Sequence, residues 1–197
     1  MQVLTFDTLA FDRHAIRLAG MIENDMHFDA IVGVKRGGSF VCDALCKHFR
    51  KERYDARYDV ELQRPSTKTK NGTISKILKH LPTIILDFLR MAESKILSFH
   101  RKIKGNVATP EVNIPAGLEY ILKTVEVPKI LIIDDAIDSG DTLFAITETL
   151  KKTNPNITIR IAVMTVTTAR PRIDADYALY KNKTLIRFPW SNDYKNR

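Results

Sequence analysis

The sequence predicts an α/β fold in which a parallel, twisted sheet is flanked by helices and interrupted by a helical insertion. Three observations carry this. Apolar runs of strand length occur at 28–34, 129–135 and 157–166. The first two end in turns containing glycine, and apolar residues at helical spacing follow each turn. Alternating strand and helix implies a parallel sheet covered on both faces. Ligands of such sheets collect at the carboxyl ends of the strands, where both glycine turns lie.

The elements follow in chain order. Residues 6–26 place Leu9, Phe11, Ile16, Leu18, Ala19 and Ile22 on a helical stripe opened by Asp7 or Thr8. "FDAIVGV" (28–34) is a buried strand, and "GGSFVCDALCKHFRK" (37–51) restarts a helix with Phe40, Val41, Leu45 and Phe49 at helical spacing. Residues 53–62 alternate as a second strand. Segment 63–117 begins polar, becomes amphipathic from Ile74, and turns loop-like after Lys104. Pro82 starts a second helix there or kinks the first. "KILIIDD" is then a strand, "SGDTLFAITETLKK" a turn and helix, and "ITIRIAVMTV" a further strand. A chain of 197 residues with no internal repeat reads as a single domain, 1–197.

Composition narrows the function classes. The net charge is +8, which suggests an anionic partner. The excess is local, because residues 47–105 hold 15 Lys and Arg against 6 Asp and Glu. That segment has few aromatic residues for base stacking, so no nucleic acid is expected as partner. No apolar run approaches the length of a membrane helix, and no membrane partner is expected. The amino-terminal residues lack a signal peptide's basic start and apolar centre, which reads as cytoplasmic. Cys42 and Cys46 have no further cysteine or nearby histidine to complete a zinc site and read as reduced thiols.

The chemistry concentrates in "KILIIDDAIDSGDTL", 129–143. Asp134, Asp135 and Asp138 admit three readings: a solvated acidic loop, a Mg2+ site of hard oxygen ligands, or carboxylates that accept hydrogen bonds from vicinal sugar hydroxyls. The following turn suits a phosphate. Gly140 lets the backbone approach, Ser139 and Thr142 supply hydroxyls, and the next helix offers its first N–H groups. Asp141 departs from this by placing a negative charge in the cradle. Neither G-x-G-x-x-G nor G-x-x-x-x-G-K-[ST] is present, which sets aside the Rossmann and Walker loops.

Four apolar residues, two acids, two apolar residues and Asp-Ser-Gly-x-Thr resemble the motif of type I phosphoribosyltransferases. "IVGVKRGGSF" (31–40) resembles that family's pyrophosphate loop, which carries a basic residue before glycine and in relatives often a non-proline cis peptide, here Lys35–Arg36. The resemblance implies the type I phosphoribosyltransferase fold with a small C-terminal hood. It implies transfer of ribose phosphate from 5-phosphoribosyl-1-pyrophosphate (PRPP) to a small heterocyclic base. Asp134 and Asp135 would hold the ribose hydroxyls, directly or through Mg2+ as cofactor. Asp138, Ser139, Gly140, Asp141 and Thr142 would wrap the 5′-phosphate, and Lys35, Arg36 and Gly37 would take the pyrophosphate. Asp138 would also accept a proton from the base.

A mobile loop at 63–117, with Arg64, Lys68 and Lys70, would close on the polyphosphate. Residues 74–104 would serve as lid or as interface, and Ile84 to Leu89 suit contact in a homo-oligomer, most simply a dimer. The hood, 170–197 with the amino-terminal segment, would choose the acceptor. It resembles that of xanthine-guanine and hypoxanthine enzymes but departs at two points. Thr167 or Thr168 stands where relatives read the purine oxygen with lysine, and Leu185 stands where they stack an aromatic ring. The expected base contacts are therefore Thr168, Leu185 and Ile186, with Phe188 and Trp190 reading as packing. The other functional reading is a regulatory protein that binds PRPP or a nucleotide without turnover.

Overall fold

The computed structural model describes residues 2–63, 111–181, 184–191 and 194. Its elements are β1 (Gln2–Thr5), α1 (Thr8–Ile22), β2 (Phe28–Val34), α2 (Gly37–Cys46), β3 (Tyr54–Gln63), β4 (Glu111–Asn113), α3 (Ala116–Thr124), β5 (Lys129–Ile137), α4 (Asp141–Thr153), β6 (Thr158–Val166), β7 (Tyr177–Tyr180) and β8 (Thr184–Arg187). The loop with Arg64, Lys68 and Lys70 and the helical pattern at 74–104 lie outside the described residues. Residues 111–117 form β4 and open α3.

The main sheet has the order β4-β3-β2-β5-β6-β7. Every neighbouring pair is parallel except β3 with β4. From β2 the chain passes through α2 to β3 on one side. From β5 it passes through α4 to β6 on the other. The junction between β2 and β5 is therefore where the winding reverses, the position at which such sheets open a crevice.

Strand alternation divides the core between two faces. Ile31, Leu131, Ile133, Ala162 and Met164 point to one side and pack against α1 and α2. Ala30, Val32, Ile130, Ile132 and Val163 point to the other and pack against α3 and α4. Both faces are covered, which is why these strands read as continuous apolar runs and not as alternating ones. Helix α1 is capped by Asp7, whose carboxylate accepts the Ala10 N–H at 2.6 Å. Its buried stripe is Phe11, Ala15, Leu18, Ala19 and Ile22. Leu9 and Ile16, expected on that stripe, are exposed, because the stripe that meets the sheet runs through Ala15 instead. Phe40 on α2 is exposed as well, and it stacks on Trp190.

A second, two-stranded sheet pairs β1 with β8 in parallel, from Gln2 with Thr184 to Thr5 with Arg187. The carboxyl-terminal hood is thus built together with the amino-terminal segment. Arg187 is buried and donates from Nη1 to the Thr5 hydroxyl at 3.0 Å. The Thr165 hydroxyl donates to the Thr184 carbonyl at 2.7 Å and so ties β8 to the end of β6.

Both cysteines of α2 are free thiols, Cys42 buried and Cys46 partly so. A hydrogen bond from Cys42 lowers Cys46 to about 7, helped by Tyr54 and Arg57 and opposed by burial. The same hydrogen bond, together with burial, pushes Cys42 up. At pH 7.5 iodoacetamide should therefore label Cys46 well before Cys42. Peptide mapping by mass spectrometry checks this, and equal or reversed labelling would contradict the assignment.

Candidate active site

Strand β2 ends at Val34 and β5 at Ile137, and the two run parallel in register from Ala30 with Ile130 to Gly33 with Ile133. Their following loops therefore leave the same end of the sheet side by side. After β2 the chain turns through Lys35 and Arg36, which are joined by a cis peptide as the resemblance led one to expect. The Lys35 N–H donates to Val60 O at 2.9 Å, and its ammonium lies 3.5 Å from Glu61. Arg36 is exposed immediately before α2.

The two glycines opening α2 touch β5 directly. A Cβ on Gly37 would collide with the Asp135 carboxylate. A Cβ on Gly38 would stand 2.5 Å from the Ile133 carbonyl oxygen and 2.9 Å from the Asp134 Cα. Gly38 admits no side chain because the helix head is pressed against the strand backbone, whereas at Gly37 only the end of the Asp135 side chain stands in the way. The structure thereby brings Gly37 of one motif against Asp135 of the other.

The two acids are distinguished by their surroundings. Asp134 Oδ1 accepts the Asp135 N–H at 2.8 Å. Asp135 keeps some exposure overall, but its carboxyl is tucked between Gly37 and the hood. Burial pushes that carboxyl up, and hydrogen bonds with Asp134, with Trp190 and with backbone N–H groups oppose the shift. Asp138, at the mouth of the loop, is exposed, and it accepts a short hydrogen bond from the Thr167 hydroxyl. That hydroxyl also lies 3.3 Å from the Ile137 carbonyl, and Thr167 itself is buried. Asp138 is consequently held from β6, across the sheet.

Gly140 has φ 78° and ψ 3°, a left-handed conformation that glycine adopts freely, and it caps α4. The Ser139 hydroxyl accepts the Asp141 N–H at 3.2 Å. The backbone N–H groups of the first turn of a helix have no partner within the helix, and here they open at this turn. Asp141 is the first helical residue, where a carboxylate complements the helix dipole. Thr142 is half-buried beside it.

The expected base contacts fall into two groups. Thr168 follows β6 and is half-buried, as is Leu185 on β8, and the Thr165–Thr184 hydrogen bond holds the two strands together. Ile186 is buried in the core with Phe6 and Phe188. Trp190 packs, as expected: Phe188 stacks on it at 4.7 Å and 4°, Phe40 at 4.8 Å and 26°, and Phe11 meets it edge-on at 4.9 Å. A cleft of about 340 Å3 beside Trp190 is lined by Phe11, Phe40, Lys47 and Pro189, and none of residues 35–37 or 134–142 lines it.

Two supports had no counterpart in the sequence reading. Ser39 donates to Asp59 Oδ1 at 2.7 Å, Arg57 holds Asp59 at 3.2 Å, and Arg57 reaches Asp43 at 2.7 Å. This chain of groups fixes the head of α2 to β3. The second is Arg172, whose N–H donates to the Ser139 carbonyl at 2.8 Å. As for metals, among the described residues no group of three or more His, Cys, Asp or Glu could hold an ion. The pair Asp134 and Asp135 suits a cation shared with a ligand's own oxygens, the usual way Mg2+ is held.

Residues 6–196 match the family model for the phosphoribosyl transferase domain. No curated protein matches the sequence. Among solved structures, a purine phosphoribosyltransferase from Pyrococcus horikoshii Ot3 is similar at TM-score 0.61 and 20% identity, covering 100% of this chain and 99% of that one. The xanthine-guanine-hypoxanthine phosphoribosyltransferase of Helicobacter pylori is similar at 0.57 and 16%, with 96% and 92% covered. A hypothetical protein from Neisseria gonorrhoeae with bound ppGpp is similar at 0.59 and 17%, with 96% and 89% covered.

Gly38→Ala should destabilise the fold by about 1–3 kcal/mol, since its Cβ meets backbone that has little room to yield. Gly37→Ala meets the end of a side chain that can swing aside, so it should unfold nearer to the parent. Urea denaturation of the two variants tests this, and the opposite ranking would refute the described contact between α2 and β5.

Proposed function

Since the chain belongs to the phosphoribosyltransferase family, we propose that it transfers the 5-phosphoribosyl group from PRPP to a ring nitrogen of a purine-like base and releases pyrophosphate. The observation that carries the proposal is the contact between Gly37 and Asp135, which joins the two motif loops at one crevice. A phosphoribosyl donor has to be gripped at both ends. A site built from two adjacent loops suits such a ligand.

In this reading the ribose lies over the end of β5, with Asp134 and Asp135 accepting hydrogen bonds from its 2′- and 3′-hydroxyls. The turn from Ser139 to Thr142 receives the 5′-phosphate at the head of α4, where the helix dipole favours an anion. Lys35, Arg36 and Gly37 receive the pyrophosphate. Arg36 offers a guanidinium fork to its oxygens, and the Gly37 backbone permits close approach. Asp134 and Asp135 would hold Mg2+, which when bound supplies positive charge against the departing pyrophosphate.

The bond that breaks joins the ribose C1 to the pyrophosphate oxygen, and the bond that forms joins C1 to the base nitrogen. Positive charge develops on the ribose as the leaving group departs. Catalysis then rests on stabilising that leaving group and on positioning the base. Asp138 accepts the proton that the nitrogen sheds, and the Thr167 hydroxyl aims its carboxylate. Thr168 and Leu185 flank the base, and the Ile186 side chain is buried next to Leu185 on β8. A purine-like acceptor is supported by the hood sequence and by the activities of two structurally similar proteins. A homodimer in the cytoplasm is the simplest setting for the reaction.

Pyrophosphate release, measured with Mg2+ and PRPP across a panel of purines and pyrimidines, tests the proposal. Release is expected with a 6-oxopurine and should fall when Mg2+ is chelated. PRPP binding with no turnover on any base would instead favour the regulatory reading, and absence of PRPP binding would sink the transfer reading. Asp138→Asn should lower kcat by roughly 100-fold or more, a larger loss than any change in PRPP affinity.

A further inference from the structure

The acid at 141 sets an electrostatic problem for the phosphate turn, and the segment after β6 answers it. Arg172 and Ile173 lie across this turn. The Arg172 N–H donates to the Ser139 carbonyl at 2.8 Å. A Cβ on Gly140 would approach the backbone nitrogens of Ile173 and Arg172 to 3.0 and 3.2 Å. The Arg172 guanidinium sits 3.7 Å from the centre of the Phe144 ring, one turn into α4. Its Nη1 stands 3.5 Å from Asp141 Oδ1. One residue thus touches the turn through its backbone, the helix through an aromatic face, and the offending carboxylate through its charge.

Both members of the ion pair are about half exposed. A pair so exposed contributes little to folding stability. Its position at the mouth of a phosphate turn gives it another use. A phosphate monoester brought beside an uncompensated carboxylate is repelled, and a guanidinium held over that carboxylate removes the repulsion. The Phe144 ring keeps the guanidinium in place without taking up its charge.

Resting on the reading that the turn receives the 5′-phosphate, we infer that Arg172 is a positioning residue for the phosphate monoester, acting by neutralising Asp141. This explains how an acid is tolerated in the cradle. It also assigns the loop after β6 to the donor side of the site, although the hood to which that loop leads is associated with the acceptor.

Calorimetric titration of the full chain with ribose 5-phosphate and with inorganic pyrophosphate separates the possibilities. Arg172→Ala should weaken ribose 5-phosphate by about tenfold or more and leave pyrophosphate unchanged. Adding Asp141→Asn to that variant should restore affinity to within about threefold of the parent, because the charge needing compensation is gone. Asp141→Asn alone should tighten ribose 5-phosphate, which keeps a test available if Arg172→Ala does not fold. Unchanged affinity in Arg172→Ala overturns the inference. So does a double variant as weak as Arg172→Ala, since Arg172 would then only strap the loop, and so does Asp141→Asn alone failing to tighten binding. If the parent binds neither ribose 5-phosphate nor pyrophosphate, the functional reading itself fails and takes this inference with it.

Discussion

The parallel pairing of β2 with β5 is the constraint on which the rest of the molecule depends. These strands are distant in sequence, and nothing local obliges them to meet. Once Ile31 lies opposite Leu131 and Gly33 opposite Ile133, however, the loops that follow are forced to the same edge. The chain winds away from this pair in opposite directions, so among the described residues neither connecting helix covers the gap between the two loops. Gly37 and Gly38 then allow α2 to start directly against β5. A slip of one residue between β2 and β5 would exchange the faces of every core side chain on one strand. The crevice and the core are therefore fixed by the same set of hydrogen bonds.

Around that pair the supports work from behind and from above. Arg57, Asp59 and Ser39 anchor α2 to β3, while Thr167 on the far side of β5 holds Asp138. The hood is attached separately. Its strand β8 pairs with β1, and Thr165 links that pair to the main sheet. The acceptor side of the site thus hangs on the two chain ends, whereas the donor side is built into the central strands. Variation at the acceptor side can proceed without disturbing β2 and β5, which fits a chain whose donor motifs are plain and whose proposed base contacts, Thr168 and Leu185, lie apart from those strands.

What the sequence made legible follows the same division. Strands β2, β5 and β6 stand out because burial on both faces makes them unbroken apolar runs. The turns assigned to phosphate and pyrophosphate stand out because glycine and acid at fixed offsets are local requirements. Strands β1, β4, β7 and β8 have three or four residues each, and their strand character comes from a partner elsewhere in the chain. Helix α3 was obscured by the glycine and prolines before it, although Leu118 and Leu122, four apart and both buried, were an available signal. Thr167 and Arg172 were invisible in their roles for a different reason. Each acts on a residue about thirty positions away, at a contact that exists only after β5 and β6 have paired.

The chain contains one tryptophan, and it is Trp190. Its indole is stacked by Phe188 and Phe40 and hydrogen-bonded to the carboxyl of Asp135. Its fluorescence therefore arises from a single environment, one hydrogen bond away from the carboxylate assigned to the sugar. The emission of the native protein is an optical report on the donor side of the crevice, with no label to introduce and no second fluorophore of its kind to subtract.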